Sequence, residues 1–293
     1  MVASVDLCRQ SLARPALRVR PPTGYAVGER VLTFVDPSRL IRLPGRRPQP
    51  RRLVTVVRYP EHVRGPFPLV VFGHGFAVTP AYYFRLLRAW TQAGYVVAAP
   101  VFPLGNAHAR GGPDEADIVN QPRDMSFVIT RMLAASADRR NPLAGLIDPR
   151  RIVVSGQSDG GETALAVAYD RYYLDRRVRA AIILSGAQIP GSGGFAFPAQ
   201  SPPLLAAQGT ADTTNQPRFT YAFFRIAPRP KYLLKLLGAG HLPPYTHEQP
   251  QLSIVERVTI AFLDRYMKGI PGAISRLVAD GDVAGRSVVE ADR

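Results

Sequence analysis

Six short runs of this 293-residue chain are apolar almost throughout, without the alternation of a half-wetted strand. They are Pro68–Phe72, Tyr95–Pro100, Arg151–Ser155, Arg179–Leu184, Pro203–Ala207 and Lys231–Leu237. A strand with one face in water alternates apolar and polar residues, whereas a strand covered on both faces does not need to. Helical patterns separate the runs, over Thr79–Trp90, Pro122–Leu133, Gly161–Ala168, Gln216–Ile226 and Gln251–Met267. That alternation predicts an α/β fold with a mostly parallel sheet and helices on both faces. The first helix puts Phe84, Leu87 and Trp90 on one face, and the last has a stripe of Val255, Val258, Phe262 and Tyr266. Pro122 and Asp124 suit a first helical turn. Two further strands are expected upstream, at Val31–Val35 and Leu53–Tyr59, separated by the turn-rich stretch 36–50.

No internal repeat is present, and residues 26–268 read as one catalytic domain. Residues 1–25 form an Arg- and Pro-rich segment expected to be poorly ordered, and 269–293 read as a loosely held tail. The Gly-, Pro- and Ser-rich stretch Gln188–Pro202 is expected to loop over the carboxyl edge of the sheet.

A hydrophobic content of 46% with 9% aromatics allows a sizeable core and argues against a disordered chain. The formal charge of +15 raises the question of a nucleic-acid or membrane partner. Arginine outnumbers lysine 34 to 3, and the basic residues are scattered. The densest group, Arg42, Arg46, Arg47, Arg51 and Arg52, falls in a Pro-rich connection. No specific nucleic-acid partner is expected, only weak attraction to anionic surfaces. No apolar stretch reaches the ~20 residues that span a bilayer. Residues 1–20 lack the apolar core of a secretory signal. Cys8 is the only cysteine, which suits a reducing compartment and makes the cytoplasm the expected location.

The chemistry starts at Gly156-Gln157-Ser158-Asp159-Gly160, between the run ending at Ser155 and the helix from Gly161. A G-x-S-x-G at a strand-to-helix turn is a nucleophile elbow, its glycines giving room where strand and helix crowd together. A serine hydroxyl needs a base, and the imidazole base needs a carboxylate to fix its tautomer. Both follow in the order such hydrolases use. Asp212 comes directly after the run ending at Ala207, and His241 directly after the run ending at Leu237. Asp114, Glu115 and Asp117 precede the nucleophile in a Gly-rich loop. His247 reads as a surface residue, and His62 and His108 lie away from strand ends. The oxyanion donors are expected to be the backbone N–H groups of Asp159 and of Phe76, in Gly73-His74-Gly75-Phe76. His74 reads as a residue that holds this loop.

These residues resemble the branch of the α/β-hydrolases containing dienelactone hydrolases, chlorophyllases and platelet-activating-factor acetylhydrolases, which adjoins cutinase-like polyester hydrolases. The resemblance covers most of residues 30–268. It rests on Phe72–Phe76, the Gly156–Gly161 elbow, Gly209-Thr210-Ala211-Asp212 and Gly240-His241. It implies an α/β-hydrolase fold and a Ser-His-Asp carboxylic ester hydrolase with no metal and no cofactor. It also supports Phe76 as an oxyanion donor. The chain departs from the branch at Gln157, where His is frequent, and at Asp159, where Met or Leu is frequent. Asp159 is expected to turn away from the oxyanion and meet an arginine or a backbone donor. No cysteine stands at the elbow, unlike a dienelactone hydrolase, and the paired cysteines of secreted cutinase-like enzymes are missing.

The expected activity is hydrolysis of a small-molecule ester through an acyl-enzyme on Ser158. The expected pocket is apolar, built from Phe76, Tyr82, Tyr83, Phe195 and Phe197. The same triad would serve an amide or peptide hydrolase or an acyltransferase. A reading from a different class is a non-catalytic basic surface-binding protein.

Overall fold

The computed structural model describes residues 24–43, 45–189, 197–198 and 200–293. All six apolar runs become strands, at β3 (Phe67–Gly73), β4 (Val96–Val101), β5 (Ile147–Gln157), β6 (Val178–Leu184), β7 (Leu204–Gly209) and β8 (Lys231–Leu236). They run parallel in the order β4-β3-β5-β6-β7-β8. Upstream, β1 (Val27–Ile41) and β2 (Gln49–Pro60) form an antiparallel hairpin, and β2 extends the sheet beyond β4. The turn-forming residues Asp36, Pro37 and Ser38 do not end the first strand. They make a register shift inside it, where Asp36 accepts hydrogen bonds from the N–H and hydroxyl of Ser38.

The parallel strands bury both faces because successive side chains point opposite ways. Leu69, Val71, Val154 and Ile183 face one helical layer, formed by α2 (Gln121–Ala137), α3 (Asp159–Tyr169) and α4 (Pro217–Ile226). Val70, Phe72, Val153 and Ile182 face the other layer, formed by α1 (Phe84–Gln92), α5 (Gln251–Lys268) and α6 (Ala273–Gly281). This is the doubly covered, mostly parallel sheet of an α/β-hydrolase. Leu86, Leu87 and Trp90 carry the buried face of α1, and Phe84 lies exposed with the Arg58 guanidinium 5.2 Å from its ring centre. The helix begins one turn later than Thr79 suggests, because Pro80–Tyr83 form a 3-10 turn.

Residues 269–293 are not a loose tail. They form α6 against α5, then β9 (Ser287–Asp292), which pairs antiparallel with β8 and closes that edge. Residues 1–23, and with them most of the expected N-terminal segment, lie outside the described residues.

Candidate active site

Because β3, β5, β7 and β8 are parallel, the loops that follow them emerge at one edge of the sheet, where open α/β sheets bind ligands. Ser158 stands between β5 and α3 with φ 55° and ψ −125°, a backbone state that a non-glycine residue adopts only under constraint. Packing supplies that constraint. A Cβ on Gly156 would lie 2.0 Å from the Gly160 carbonyl oxygen, and one on Gly160 would lie 2.0 Å from that of Gly73. Strand, elbow and helix therefore meet backbone to backbone, which only glycine permits. The Ser158 N–H donates to Leu184 O at 3.0 Å, tying the elbow to the end of β6.

Asp212 follows β7, and its carboxylate is held from several sides. Oδ1 accepts the N–H groups of Thr214 (3.0 Å) and Asn215 (2.9 Å), and Oδ2 accepts the Gln208 amide (3.1 Å). Oδ2 also lies 2.8 Å from His241 Nδ1. Burial alone would raise the Asp212 pKa. The hydrogen bond and charge of His241, the Asn215 N–H and the Gln208 amide together hold it below the ordinary value. The acid is thus ionised at neutral pH and fixes the imidazole with its Nδ1 proton toward Asp212.

His74 is fully buried beside the candidate oxyanion loop. Its Nδ1 lies 2.8 Å from the Gly75 carbonyl, and its Nε2 accepts the Phe102 N–H at 3.0 Å. These partners require a neutral ring protonated on Nδ1, and burial lowers its pKa to about 4. The ring thereby clamps the Gly75 carbonyl. In a trans peptide the N–H of the next residue points the opposite way, so this clamp aims the Phe76 N–H. Neither the Phe76 nor the Asp159 N–H bonds to another described residue.

Of the two partners expected for Asp159, an arginine or a backbone donor, the arginine is the one not found. No arginine meets it among the described residues, and its Oδ2 is buried without a hydrogen-bond partner. Burial raises its pKa to about 6, with Glu115 adding to the rise, while His241 and the residue's own N–H lower it.

The aromatic pocket also changes. Phe76 and Tyr82 remain exposed. Tyr83 is fully buried, with its hydroxyl between the Gly75 N–H (3.2 Å) and Gln157 Oε1 (2.7 Å), so it stands behind the site rather than lining it. Phe197 packs at a tilt against Tyr169, at the far end of α3, with ring centres 4.9 Å apart. That is ~17 Å along the helix from Ser158, eleven residues at 1.5 Å each. The cause is topological: β6 and β7 are parallel, so their connection must return to the opposite edge of the sheet. Phe195 lies outside the described residues. His62 and His247 are surface residues.

Sequence reasoning passed over Gln208 and the partner role of Gln157, and it named Tyr83 as a pocket residue rather than as a hydrogen-bond partner of Gly75 and Gln157. Gln208 had a visible signal: a polar residue closing an apolar strand, four positions before Asp212. Among the described residues, no three His, Cys, Asp or Glu side chains converge as metal ligands do, and no helix is long and apolar enough to cross a membrane.

Comparison with known proteins places relatives beside this geometry. A family model described as Chlorophyllase matches residues 38–193, more than half of the chain. Chlorophyllase-2 of Arabidopsis thaliana is 23% identical over 238 residues, covering 72% of this chain and 71% of that protein.

Proposed function

The chain belongs to the chlorophyllase family of α/β-hydrolases, and from that premise we propose that it hydrolyses carboxylic esters through an acyl-enzyme on Ser158. In this mechanism His241 takes the Ser158 proton through Nε2 as the hydroxyl attacks the ester carbonyl, and Asp212 stabilises the imidazolium that forms. The N–H groups of Phe76 and Asp159 receive the developing oxyanion, the latter at the N-terminus of α3 where the helix dipole favours negative charge. His241 then returns the proton to the leaving alcohol, and water releases the acyl group by the same steps.

The observation that carries this reading is the Asp212–His241 pair at 2.8 Å, on the same sheet edge as a serine held at positive φ. Chlorophyllase-2 is named for chlorophyll. For this chain the proposal is the wider class of carboxylic esters, with chlorophyll as one arm of the substrate panel.

The test is labelling by a fluorophosphonate and turnover of p-nitrophenyl esters of graded acyl length, beside Ser158→Ala, His241→Asn and Asp212→Asn. Ser158→Ala should abolish labelling and lower kcat by at least ~10³-fold. A wild-type protein that neither labels nor turns over any ester would falsify the proposal. Preferential transfer of the acyl group to added amines or alcohols would move it to an acyltransferase.

A further inference from the structure

Gln157 is buried one residue before the nucleophile, and its side-chain amide is engaged at both ends. Its Oε1 accepts the Tyr83 O–H at 2.7 Å. Its Nε2 donates to the main-chain oxygen of His241 at 3.1 Å and lies 3.2 Å from the ring Nε2 of the same histidine.

The direction of each bond follows from its neighbours. The Tyr83 hydroxyl already accepts the Gly75 N–H, and burial pushes its pKa upward, so it remains protonated and donates to Gln157. The amide oxygen of Gln157 therefore faces Tyr83, and its nitrogen faces His241. On the other side of the ring, Nδ1 carries the proton toward ionised Asp212, which leaves a lone pair on Nε2. The second amide hydrogen of Gln157 points at that lone pair. Ser158, whose hydroxyl must donate there for catalysis, makes no side-chain hydrogen bond to any described residue.

We infer that Gln157 is a positioning residue of the proposed reaction: oriented by Tyr83, it caps the basic nitrogen of His241 in the resting protein, and Ser158 must displace it to be activated. This inference rests on the reading of Ser158 as nucleophile and His241 as its base. An amide donor at Nε2 occupies the lone pair that must take the Ser158 proton. Gly75–Tyr83–Gln157–His241 is then one hydrogen-bonded chain joining the oxyanion loop to the base, so the two halves of the site are set together. Gly75 is tied into this chain sterically as well, since a Cβ there would sit 2.9 Å from Gln157 Oε1 and 3.2 Å from Ser158 Cβ.

The test reads the ring directly, by ¹⁵N NMR of the full chain labelled in its five histidines, with His241 assigned from His241→Asn. Ser158→Ala should leave the His241 Nε2 resonance in place, because serine is not its resting partner. Tyr83→Phe, which keeps the ring in the core, and Gln157→Glu should both move it. Gln157→Glu replaces the donor by an acceptor, which favours protonated Nε2. Fluorophosphonate labelling at pH 6, relative to pH 8, should therefore fall at least tenfold below wild type. Asp212 and Asp159, the charged groups facing His241, are the same in all these proteins, so the change belongs to residue 157. A merely structural role would alter unfolding but leave the pH profile where it was. The inference is overturned if Ser158→Ala moves the Nε2 resonance while both other variants leave it, or if the labelling profiles superimpose. The NMR arm needs no turnover, so it stands apart from a failure to detect any hydrolysis.

Discussion

Asp159 and Glu162 lie three residues apart at the start of α3, beside Ser158, with Glu115 close enough to raise both. In a chain with 37 lysines and arginines, no described ion pair includes any of the three. Burial pushes Glu162 up to about 8, with Asp159 and then Glu115 adding to it, and pushes Asp159 up to about 6. Both folded values exceed the ordinary ones of 4.5 and 3.8, so the fold prefers the protonated acids. Their contribution to stability is complete below those ordinary values and is lost as the pH rises through about 6 and then about 8. Glu162→Gln, fixed in the neutral form, should match the wild-type melting temperature near pH 4 and exceed it at pH 9. Equal shifts at the two pH values would show that charge is not the cause. The helical spacing of these acids was legible in the sequence. That no described cation pairs with them was not, since it depends on which arginines the fold brings near.

At the scale of elements, the β1–β2 hairpin is stapled to the helical side of the sheet by Arg51, with Arg39 beside it. The two-residue period of β2 turns Arg51 inward with Leu53, Thr55 and Val57, while Arg52 faces solvent. Arg51 grips Asp124 through Nε and Nη2, both at 2.7 Å, and reaches Asp117 through Nη1 at 2.9 Å. Arg39 adds a contact to Asp124 at 2.8 Å. Sequence reasoning left Arg51 in a basic cluster of a Pro-rich connection, because its partners lie 66 and 73 residues away. Arg51→Met should cost ~3–5 kcal/mol, because it strands two buried carboxylates. Arg51→Lys should also destabilise, since a point cation cannot grip both acids in this fork geometry. Arg52→Met should stay within ~0.5 kcal/mol, as surface changes do. Urea unfolding of the three variants measures this, and equal losses at positions 51 and 52 would contradict it.

At the scale of the molecule, α6 and β9 complete the sheet and its second helical layer. Leu277 is buried against that layer, Ser287 donates to Gly281 O at 2.6 Å, and a Cβ on Gly281 would lie 2.1 Å from Val289. Ending the chain at Gly269 would uncover α5 and free the edge of β8, a template for pairing between chains. The truncated protein should aggregate in size-exclusion and light-scattering measurements. A soluble monomer with wild-type unfolding would show instead that the segment is dispensable. The sequence alone determined the parallel sheet, its two helical layers, and the order of Ser158, Asp212 and His241 on strand-end loops. Those features follow from burial periods and turn chemistry acting over a few residues. Tertiary structure alone decided that β9 pairs with β8, that Phe197 sits far from Ser158, that Asp159 meets no cation among the described residues, and that Gln157 rather than Ser158 faces the His241 Nε2. Each of these depends on which distant groups arrive within about 3 Å of one another, the range of a hydrogen bond, and no local pattern encodes that.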